Sequence, residues 1–184
     1  MKKIGFIGTG LMGFPMEKNI LKSGYKLKAF NRTLSKVKAL DEFGAEIAIT
    51  LSELVKDSEI IITMLTDDKA IDEVMGSLNF LDNLKPGSIV IDMSSIKPIT
   101  AKKHEKNLSF KKIKYLDAPV SGGTIGAEEG SLAIMIGGEK KVFKEVEDLL
   151  KTMGNPTLVG PVGSGQVSKP VSYTHLTLPT IDPV

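Results

Sequence analysis

The stretch that decides the fold is KIGFIGTGLMGF, residues Lys3–Phe14, near the start of the chain. It opens with a short apolar run, and a run of this length that stops at a glycine predicts a buried β-strand at Lys3–Ile7. Glycines follow at Gly8, Gly10 and Gly13, and a helical pattern begins directly after them. A GxGxxG spacing between a strand and a helix is typical of loops that bind a dinucleotide.

Each glycine of this loop has a physical reason to be there. Gly8 permits the tight turn, Gly10 lets a pyrophosphate approach the backbone, and Gly13 lets the helix pack closely on the strand. The start of the helix offers free N–H groups and a partial positive charge to an anion. The same spacing also occurs in turns that bind nothing, so the interpretation depends on the strand and helix on either side.

The alternation of strand and helix continues along the chain. Apolar runs predict strands, and apolar residues three or four positions apart predict helices. Such a chain folds as a mostly parallel sheet with helices on both faces, so residues 1–162 predict a doubly wound α/β domain. The further predicted strands are Lys26–Phe30, Glu46–Ala48, Glu59–Met64, Ser88–Asp92, Ile113–Asp117, Leu132–Ile136 and Thr157–Val159. The predicted helices run from the glycine loop to Ser23, and over Leu34–Phe43, Leu51–Lys56, Asp67–Met75, Pro98–Asn107 and Glu139–Thr152.

Composition excludes several classes of protein. The 184 residues carry a formal net charge of +2, which is too small to indicate a nucleic-acid or membrane-surface partner. No apolar run approaches the roughly 20 residues that a membrane-spanning helix needs. The sequence has no cysteine, which rules out disulfides and thiolate metal sites and suits a reducing compartment. We therefore expect a cytoplasmic protein.

The second predicted strand ends at FNRT, residues Phe30–Thr33. An NAD-binding domain usually has Asp or Glu here, which binds the ribose 2′-hydroxyl and would repel a 2′-phosphate. This chain has Arg32 instead, and a guanidinium attracts a phosphate. The sequence therefore favours NADP, with NAD still possible. The alternative is that Arg32 is a solvated surface residue.

A second motif, DAPVSGG, covers Asp117–Gly123 at the end of another predicted strand. Open α/β sheets bind their ligands at the carboxyl ends of the strands. Ser121, Gly122 and Gly123 could turn several N–H groups and one hydroxyl towards an anion. Taken alone, the motif fits a simple glycine corner equally well.

Five segments, in this order and spacing, resemble the β-hydroxyacid dehydrogenase family: GFIGTGLMGFPMEKNI, FNRT, DMSS, DAPVSGGTIGAEEGSLAIMIGG and GPVGSGQVSK. That family includes 3-hydroxyisobutyrate dehydrogenase, tartronate semialdehyde reductase, and glyoxylate and succinic semialdehyde reductases, with 6-phosphogluconate dehydrogenase more distant. The resemblance covers Lys2–Lys169. It implies a Rossmann domain that binds NADP or NAD, followed by an all-α domain that closes the site and forms a homo-oligomer.

The resemblance also implies the site residues. Thr66 stands where the family often has proline, which is a minor departure. The residues implied in cofactor binding are Gly8, Gly10, Leu11, Met12, Gly13, Asn31, Arg32, Thr33, Met64, Leu65 and Ser95. Those implied in binding the substrate carboxylate are Ser121, Gly122 and Gly123, and the catalytic lysine is Lys169.

The activity that the resemblance implies is hydride transfer between NADPH and a small 3-hydroxy acid, semialdehyde or 2-oxo acid. The carbonyl oxygen gains negative charge during reduction, and a protonated Lys169 could stabilise that charge and donate a proton. Without the resemblance, a solvated surface lysine would be the better interpretation. Two alternatives stay open: a module that binds NADP without turnover, and a 6-phosphogluconate dehydrogenase proper.

Other titratable residues fit structural roles better. His104 lies in a lysine-rich predicted helix and is expected to be solvated, and no ligand partner stands at metal spacing, so we predict no metal site. Glu128 and Glu129 are expected on a solvated loop after DAPVSGG. Asp67 and Asp68 follow a strand and are expected to cap a helix.

The end of the chain reads differently from the rest. Residues 163–170 predict a glycine hinge and the start of an interdomain helix, which Pro170 and Pro179 should stop. The family pattern places Asn four residues after the catalytic lysine, where this chain has Tyr173. A transposase-end sequencing adapter, translated, encodes Val171–Thr180 residue for residue. We therefore expect residues 171–184, including His175, to be a non-native tail on a truncated chain that binds cofactor with little turnover.

Overall fold

The predicted apolar runs form buried strands of one twisted sheet. The computed structural model describes residues 2–174, with side chains up to Lys169. Within these residues the sheet has nine strands. They are β1 (Ile4–Ile7), β2 (Leu27–Phe30), β3 (Glu46–Ile47), β4 (Ile60–Thr63), β5 (Ile89–Asp92), β6 (Lys114–Asp117), β7 (Val120–Ser121), β8 (Leu132–Gly137) and β9 (Gly154–Gly160).

Six of the strands are parallel, in the order β3-β2-β1-β4-β5-β6. This is the order of the doubly wound dinucleotide-binding fold, and the chain reverses direction across the sheet between β1 and β4. Beyond β6, strand β8 runs antiparallel to β6 and β7, and β9 pairs with β8 in parallel. The mostly parallel sheet expected from the sequence is therefore confirmed.

Nine helices of the described part cover the sheet. They are α1 (Gly13–Lys22), α2 (Leu34–Lys38), α3 (Leu51–Asp57), α4 (Asp68–Met75), α5 (Leu78–Leu81), α6 (Pro98–Ser109), α7 (Gly123–Glu129), α8 (Lys140–Lys151) and α9 (Ser164–Thr174).

Alternate residues of each central strand enter two separate cores. On β4, Ile60 and Ile62 belong to one buried cluster and Ile61 to the other. This happens because successive side chains of a strand point to opposite faces. With helices on both faces, neither side of the strand is left to water, so the strand is apolar throughout.

Helix α8 follows its sequence pattern closely. Val142, Phe143, Val146, Leu149 and Leu150 are all buried, as their spacing along one helical face predicts. The first helix also ends where expected. Gly24 has φ of +83° and donates its N–H to the carbonyl of Leu21, as a glycine just past a helix end does.

Three local predictions for the part of the chain before α9 were wrong. The helix expected over Leu34–Phe43 breaks into α2 and a 3-10 turn at Asp41–Phe43. Glu128 and Glu129 lie in helix α7 rather than on a loop, since the chain turns into a helix at Gly123. His104 is 3% exposed, because α6 presents it to α4 and the lysines keep the outer face.

Helix α9 starts at Ser164, directly after Gly163, and continues through Pro170 to Thr174. The expectation that Pro170 stops the helix was therefore wrong. A proline inside a helix removes one hydrogen bond and crowds the preceding turn, and a helix can accommodate this with a kink. The predicted stop at Pro179 and the tail from residue 175 onward lie outside the described residues.

A buried carboxyl group organises the carboxyl end of β5. Asp92 Oδ1 accepts hydrogen bonds from Thr63 Oγ1 at 2.9 Å and from the Ser94 N–H at 3.0 Å. Asp92 Oδ2 accepts one from the Tyr115 hydroxyl at 3.3 Å. Burial raises the pKa of Asp92 to about 6, and these hydrogen bonds oppose that rise.

Two glycines of the first loop are closely surrounded. Gly8 has φ of +110° and donates its N–H to the Phe30 carbonyl at 3.0 Å, which ties the loop to β2. A Cβ atom added at Gly13 would collide with the carbonyl oxygen of Gly8. Residue 13 must therefore be glycine for α1 to start this close to the sheet.

We expect Gly13→Ala to lower the free energy of unfolding by about 2 kcal/mol, because the new methyl group overpacks against fixed backbone. Gly10→Ala is the matched control, since no heavy atom lies within 4 Å of a Cβ added there. Urea unfolding of both variants makes the comparison. Equal stability of Gly13→Ala and wild type would contradict the packing argument.

Asp92 predicts a pH dependence of stability. Its pKa is raised in the folded state, so the folded protein holds this proton more tightly and loses stability as pH rises between about 4 and 6. From pH 4 to pH 7 the wild type should lose about 2 kcal/mol more than Asp92→Asn, whose amide cannot ionise. Buried groups common to both proteins cancel in this difference, and parallel pH profiles would contradict the prediction.

Candidate cofactor and substrate site

The first glycine loop is open at its middle position. Gly8 and Gly13 are enclosed by backbone, whereas the space beside Gly10 is empty of protein atoms to 4 Å. Leu11 points outward and is 85% exposed, while Met12 packs against the core beneath. The loop thus presents backbone at Gly10 and the start of α1 to anything that approaches from outside.

A buried acid lies beneath this loop. Glu17, on α1, is fully buried and its Oε1 accepts a hydrogen bond from the Thr9 hydroxyl at 3.1 Å. Burial raises the pKa of Glu17 well above its ordinary value, and the bond from Thr9 opposes this. Burial therefore disfavours the charged form of this carboxyl group beneath the loop.

The end of β2 lies beside the loop and is shaped by a local hydrogen bond. The Asn31 side-chain amide donates to the carbonyl of Thr33 at 3.0 Å, which holds the turn into α2. Arg32 and Thr33 are exposed. An exposed guanidinium at this strand end is free to meet a phosphate, and the described structure assigns Arg32 no salt bridge.

A cavity of about 630 Å³ extends from the glycine loop along the outer face of α1. Thr9, Gly10 and Leu11 line one end of it, and its wall includes three lysines, Lys18, Lys22 and Lys36, with Glu128 as the acid among its lining residues. The sequence reasoning missed these lysines. The spacing of Lys18 and Lys22, four residues apart on a helix that starts at the loop, could have indicated them.

The ends of β4 and β5 meet through Ser94. Its hydroxyl accepts the Leu65 N–H at 2.9 Å, and its own N–H donates to Asp92. Met64 and Leu65 also pack against Gly8, because a Cβ at Gly8 would meet the Met64 carbonyl and the Leu65 side chain. The predicted cofactor residues of β4 therefore lie against the glycine loop.

The predicted catalytic lysine lies beside a predicted cofactor residue. Lys169 Nζ donates to the hydroxyl of Ser95, although 74 residues separate them in sequence. Burial lowers the pKa of Lys169 from its ordinary value. A lysine with a lowered pKa releases and regains its proton more readily near neutral pH, which suits a general acid or base.

The DAPVSGG segment lies next to α9. Gly122 and Gly123 have φ of +132° and +62°, conformations that favour glycine, and helix α7 starts at the second of them. Ser121 is mostly buried on β7. Helix α9, which carries Lys169, packs against β6 and β7, which belong to this segment, and against β8.

The remaining titratable candidates stay structural. Asp67 caps α4, and its Oδ1 accepts the Ala70 N–H at 2.8 Å, as predicted. His104 Nε2 lies 2.8 Å from Asp72 Oδ1, in a geometry that does not make a hydrogen bond, and burial lowers the His104 pKa. Between residues 2 and 174 no three His, Asp or Glu side chains are grouped so that they could hold a metal ion. None of the helices in that range is long and apolar enough to cross a membrane.

The chain matches a known protein family and several known proteins. The family described as the NAD binding domain of 6-phosphogluconate dehydrogenase matches residues 3–163. The 2-hydroxy-3-oxopropionate reductase of Escherichia coli (strain K12) is 41% identical over 170 residues, which is 91% of this chain and 58% of that protein.

Two solved structures superpose closely on this chain. A Mycobacterium tuberculosis 3-hydroxyisobutyrate dehydrogenase with L-serine superposes with a TM-score of 0.91 at 28% identity, covering 96% of this chain and 60% of that one. The protein Psf3, in complex with NADP⁺ and 2-OPP, superposes with a TM-score of 0.88 at 27% identity, covering 92% and 61%. The chain thus spans about 60% of the length of these three proteins.

The family match takes in the glycine loop, the ends of β2, β4 and β5, and the DAPVSGG segment, and it stops at the residue before α9. The chain therefore belongs to the family of NAD binding domains of 6-phosphogluconate dehydrogenase, and its relatives include dehydrogenases and reductases of small hydroxy acids.

Proposed function

We propose that the described domain binds NADP, and that the whole protein transfers a hydride between NADPH and a small 3-hydroxy acid, semialdehyde or 2-oxo acid. The observation that carries the proposal is the glycine loop, which is closed at Gly8 and Gly13 and open at Gly10. That opening stands at a helix N-terminus, where backbone N–H groups favour a phosphate. The residues present therefore fit a dinucleotide.

We assign cofactor contacts to residues on three sides of this opening. The loop Gly8–Gly13 would hold the pyrophosphate. The ribose 2′-phosphate would contact Asn31, Arg32 and Thr33. The rest of the cofactor would contact Met64, Leu65 and Ser95. Lys36, four residues after Arg32 in sequence, adds a positive charge to the wall of the cavity that starts at the loop. The exposed Arg32 after β2, with no acid in Phe30–Thr33, favours NADP over NAD.

The substrate would lie between Lys169 and the loop of Ser121, Gly122 and Gly123. The bound nicotinamide supplies the hydride. Lys169, held at Ser95, would donate a proton to the carbonyl oxygen during reduction and accept it back during oxidation. The hydroxyl of Ser121 and the N–H groups of Gly122 and Gly123 would bind the substrate carboxylate.

Assembly and location are proposed more coarsely. The family resemblance supports a homo-oligomer formed through an all-α domain, and the lack of cysteine supports a reducing compartment such as the cytoplasm. Since the chain spans about 60% of its relatives, we assign cofactor binding to the described domain and turnover to the whole protein.

Two assays test this function separately. Fluorescence titration of the 184-residue chain with NADPH and NADH measures cofactor binding. Turnover is measured with the whole protein, expressed from intact source DNA, as NADPH oxidation with a panel of semialdehydes and 2-oxo acids. 6-Phosphogluconate is tested with the same protein in the oxidative direction. Absence of NADPH binding would overturn the proposal, whereas binding without turnover would favour a non-enzymatic NADP module.

Gly10→Ala should weaken NADPH binding by at least about tenfold and leave stability unchanged, because its methyl group occupies the approach of the pyrophosphate. Fluorescence titration gives the affinity and urea unfolding gives the stability. Unchanged NADPH affinity in this folded variant would place the dinucleotide elsewhere.

Arg32→Ala should weaken NADPH binding by about tenfold or more and leave NADH binding unchanged, because charge-assisted bonds to the 2′-phosphate are lost. Lys106→Ala is the matched control, since it removes one positive charge from an exposed position on α6. Equal losses for the two cofactors, or an equal effect of the control, would contradict a 2′-phosphate contact at Arg32.

A further inference from the structure

One buried polar side chain close to Lys169 in sequence has no role in the catalytic proposal. Gln166, on the first turn of α9, is 4% exposed, and its side chain reaches across to the segment that follows β5. Its Nε2 donates to the Ser94 carbonyl at 2.8 Å, and its Oε1 accepts the Ile96 N–H at 3.1 Å. One amide thus bonds the backbone on both sides of Ser95.

The backbone of Gln166 is anchored as well. Its N–H donates to Asp117 Oδ2 at 3.0 Å, and the Gly163 N–H donates to Asp117 Oδ1 at 2.7 Å. Gly165 leaves room for this carboxyl, because a Cβ there would lie 2.8 Å from Asp117 Oδ2. These bonds fix the backbone of the first turn of α9 to the end of β6. The side chain of Gln166 therefore extends to the segment after β5 from an anchored position.

The spacing along α9 connects this arrangement to the lysine. Residues three apart on a helix lie on one face, so Gln166 and Lys169 project to the same side. Gln166 fixes residues 94 and 96, and Lys169 contacts the exposed residue between them, Ser95. Val167, between the two on the helix, is 58% exposed and makes neither contact.

We propose that Gln166 is a positioning residue that sets Lys169 against Ser95 by clamping the backbone on both sides of Ser95. It touches neither substrate nor cofactor in this scheme, and acts through the lysine. The inference rests on the proposed function, because that function gives Lys169 its catalytic role. A substitution that frees the clamp lets Lys169 move into water, and the pKa of its ammonium then rises towards about 10.4.

The test measures the titration of Lys169 in the 184-residue chain, without any requirement for turnover. Acetylation of Lys169 by a small amine reagent is followed by mass spectrometry from pH 7 to pH 11, in wild type, Gln166→Met and Val167→Ala. Methionine keeps the length and bulk of glutamine and removes both hydrogen bonds. The midpoint of the Lys169 acetylation profile should move up by at least about 0.5 pH units in Gln166→Met and stay in place in Val167→Ala.

Gln166→Asn provides a second variant should the methionine variant not fold, because asparagine keeps the amide but is too short to span both bonds. Its Lys169 profile should shift in the same direction. A wild-type profile in either folded variant, or an ordinary lysine profile in the wild type, would overturn the proposal. NADPH titration of the same proteins keeps the two proposals apart: a shifted profile without NADPH binding counts against the proposed function alone.

Discussion

The structure depends on the hydrogen bonds made by buried carboxyl groups at the ends of its parallel strands. Two of these ends, β5 and β6, finish in buried aspartates, and each collects N–H or O–H groups from neighbouring segments. A buried carboxyl is costly unless it is hydrogen-bonded, so each one fixes the loops that supply its partners. Asp92 fixes the segment at Ser94, and Asp117 fixes the start of α9. Ser95, a proposed cofactor residue, follows Ser94 directly, and Lys169, the proposed catalytic residue, lies one helical turn beyond Gln166.

Much of this arrangement was predictable from the sequence. The apolar runs predict the strands because both faces of a central parallel strand are buried, and this gives an unambiguous signal. Gly8 and Gly13 are predictable because a tight turn and a close helix start each exclude a side chain. The GSGQVSK motif makes Lys169 a candidate, and its ammonium donates to the hydroxyl of Ser95 in the folded chain.

Other features depend on tertiary contacts that no local pattern encodes. The lysines around His104 predict a solvated helix face, yet α4 covers that residue and buries it. The clamp of Gln166 joins segments 70 and 72 residues apart, and glutamine has no periodic or charge signature that indicates a buried role. The lysines along the cavity are similar, since exposed lysines are common and it is the fold that groups Lys36 with Lys18 and Lys22.

Substitutions at the enclosed Gly8 and Gly13 and at the open Gly10 should have different consequences in a cell. A replacement at Gly13 disturbs folding, so a cell's chaperones and proteases would recognise the product and remove it. A replacement at Gly10 leaves a well-packed protein, which would escape this surveillance and accumulate without the proposed cofactor. If the whole protein assembles with copies of itself, such chains would enter mixed oligomers. The effect of a substitution in this loop therefore depends on whether the added side chain contacts the protein's own backbone or the space open to a ligand.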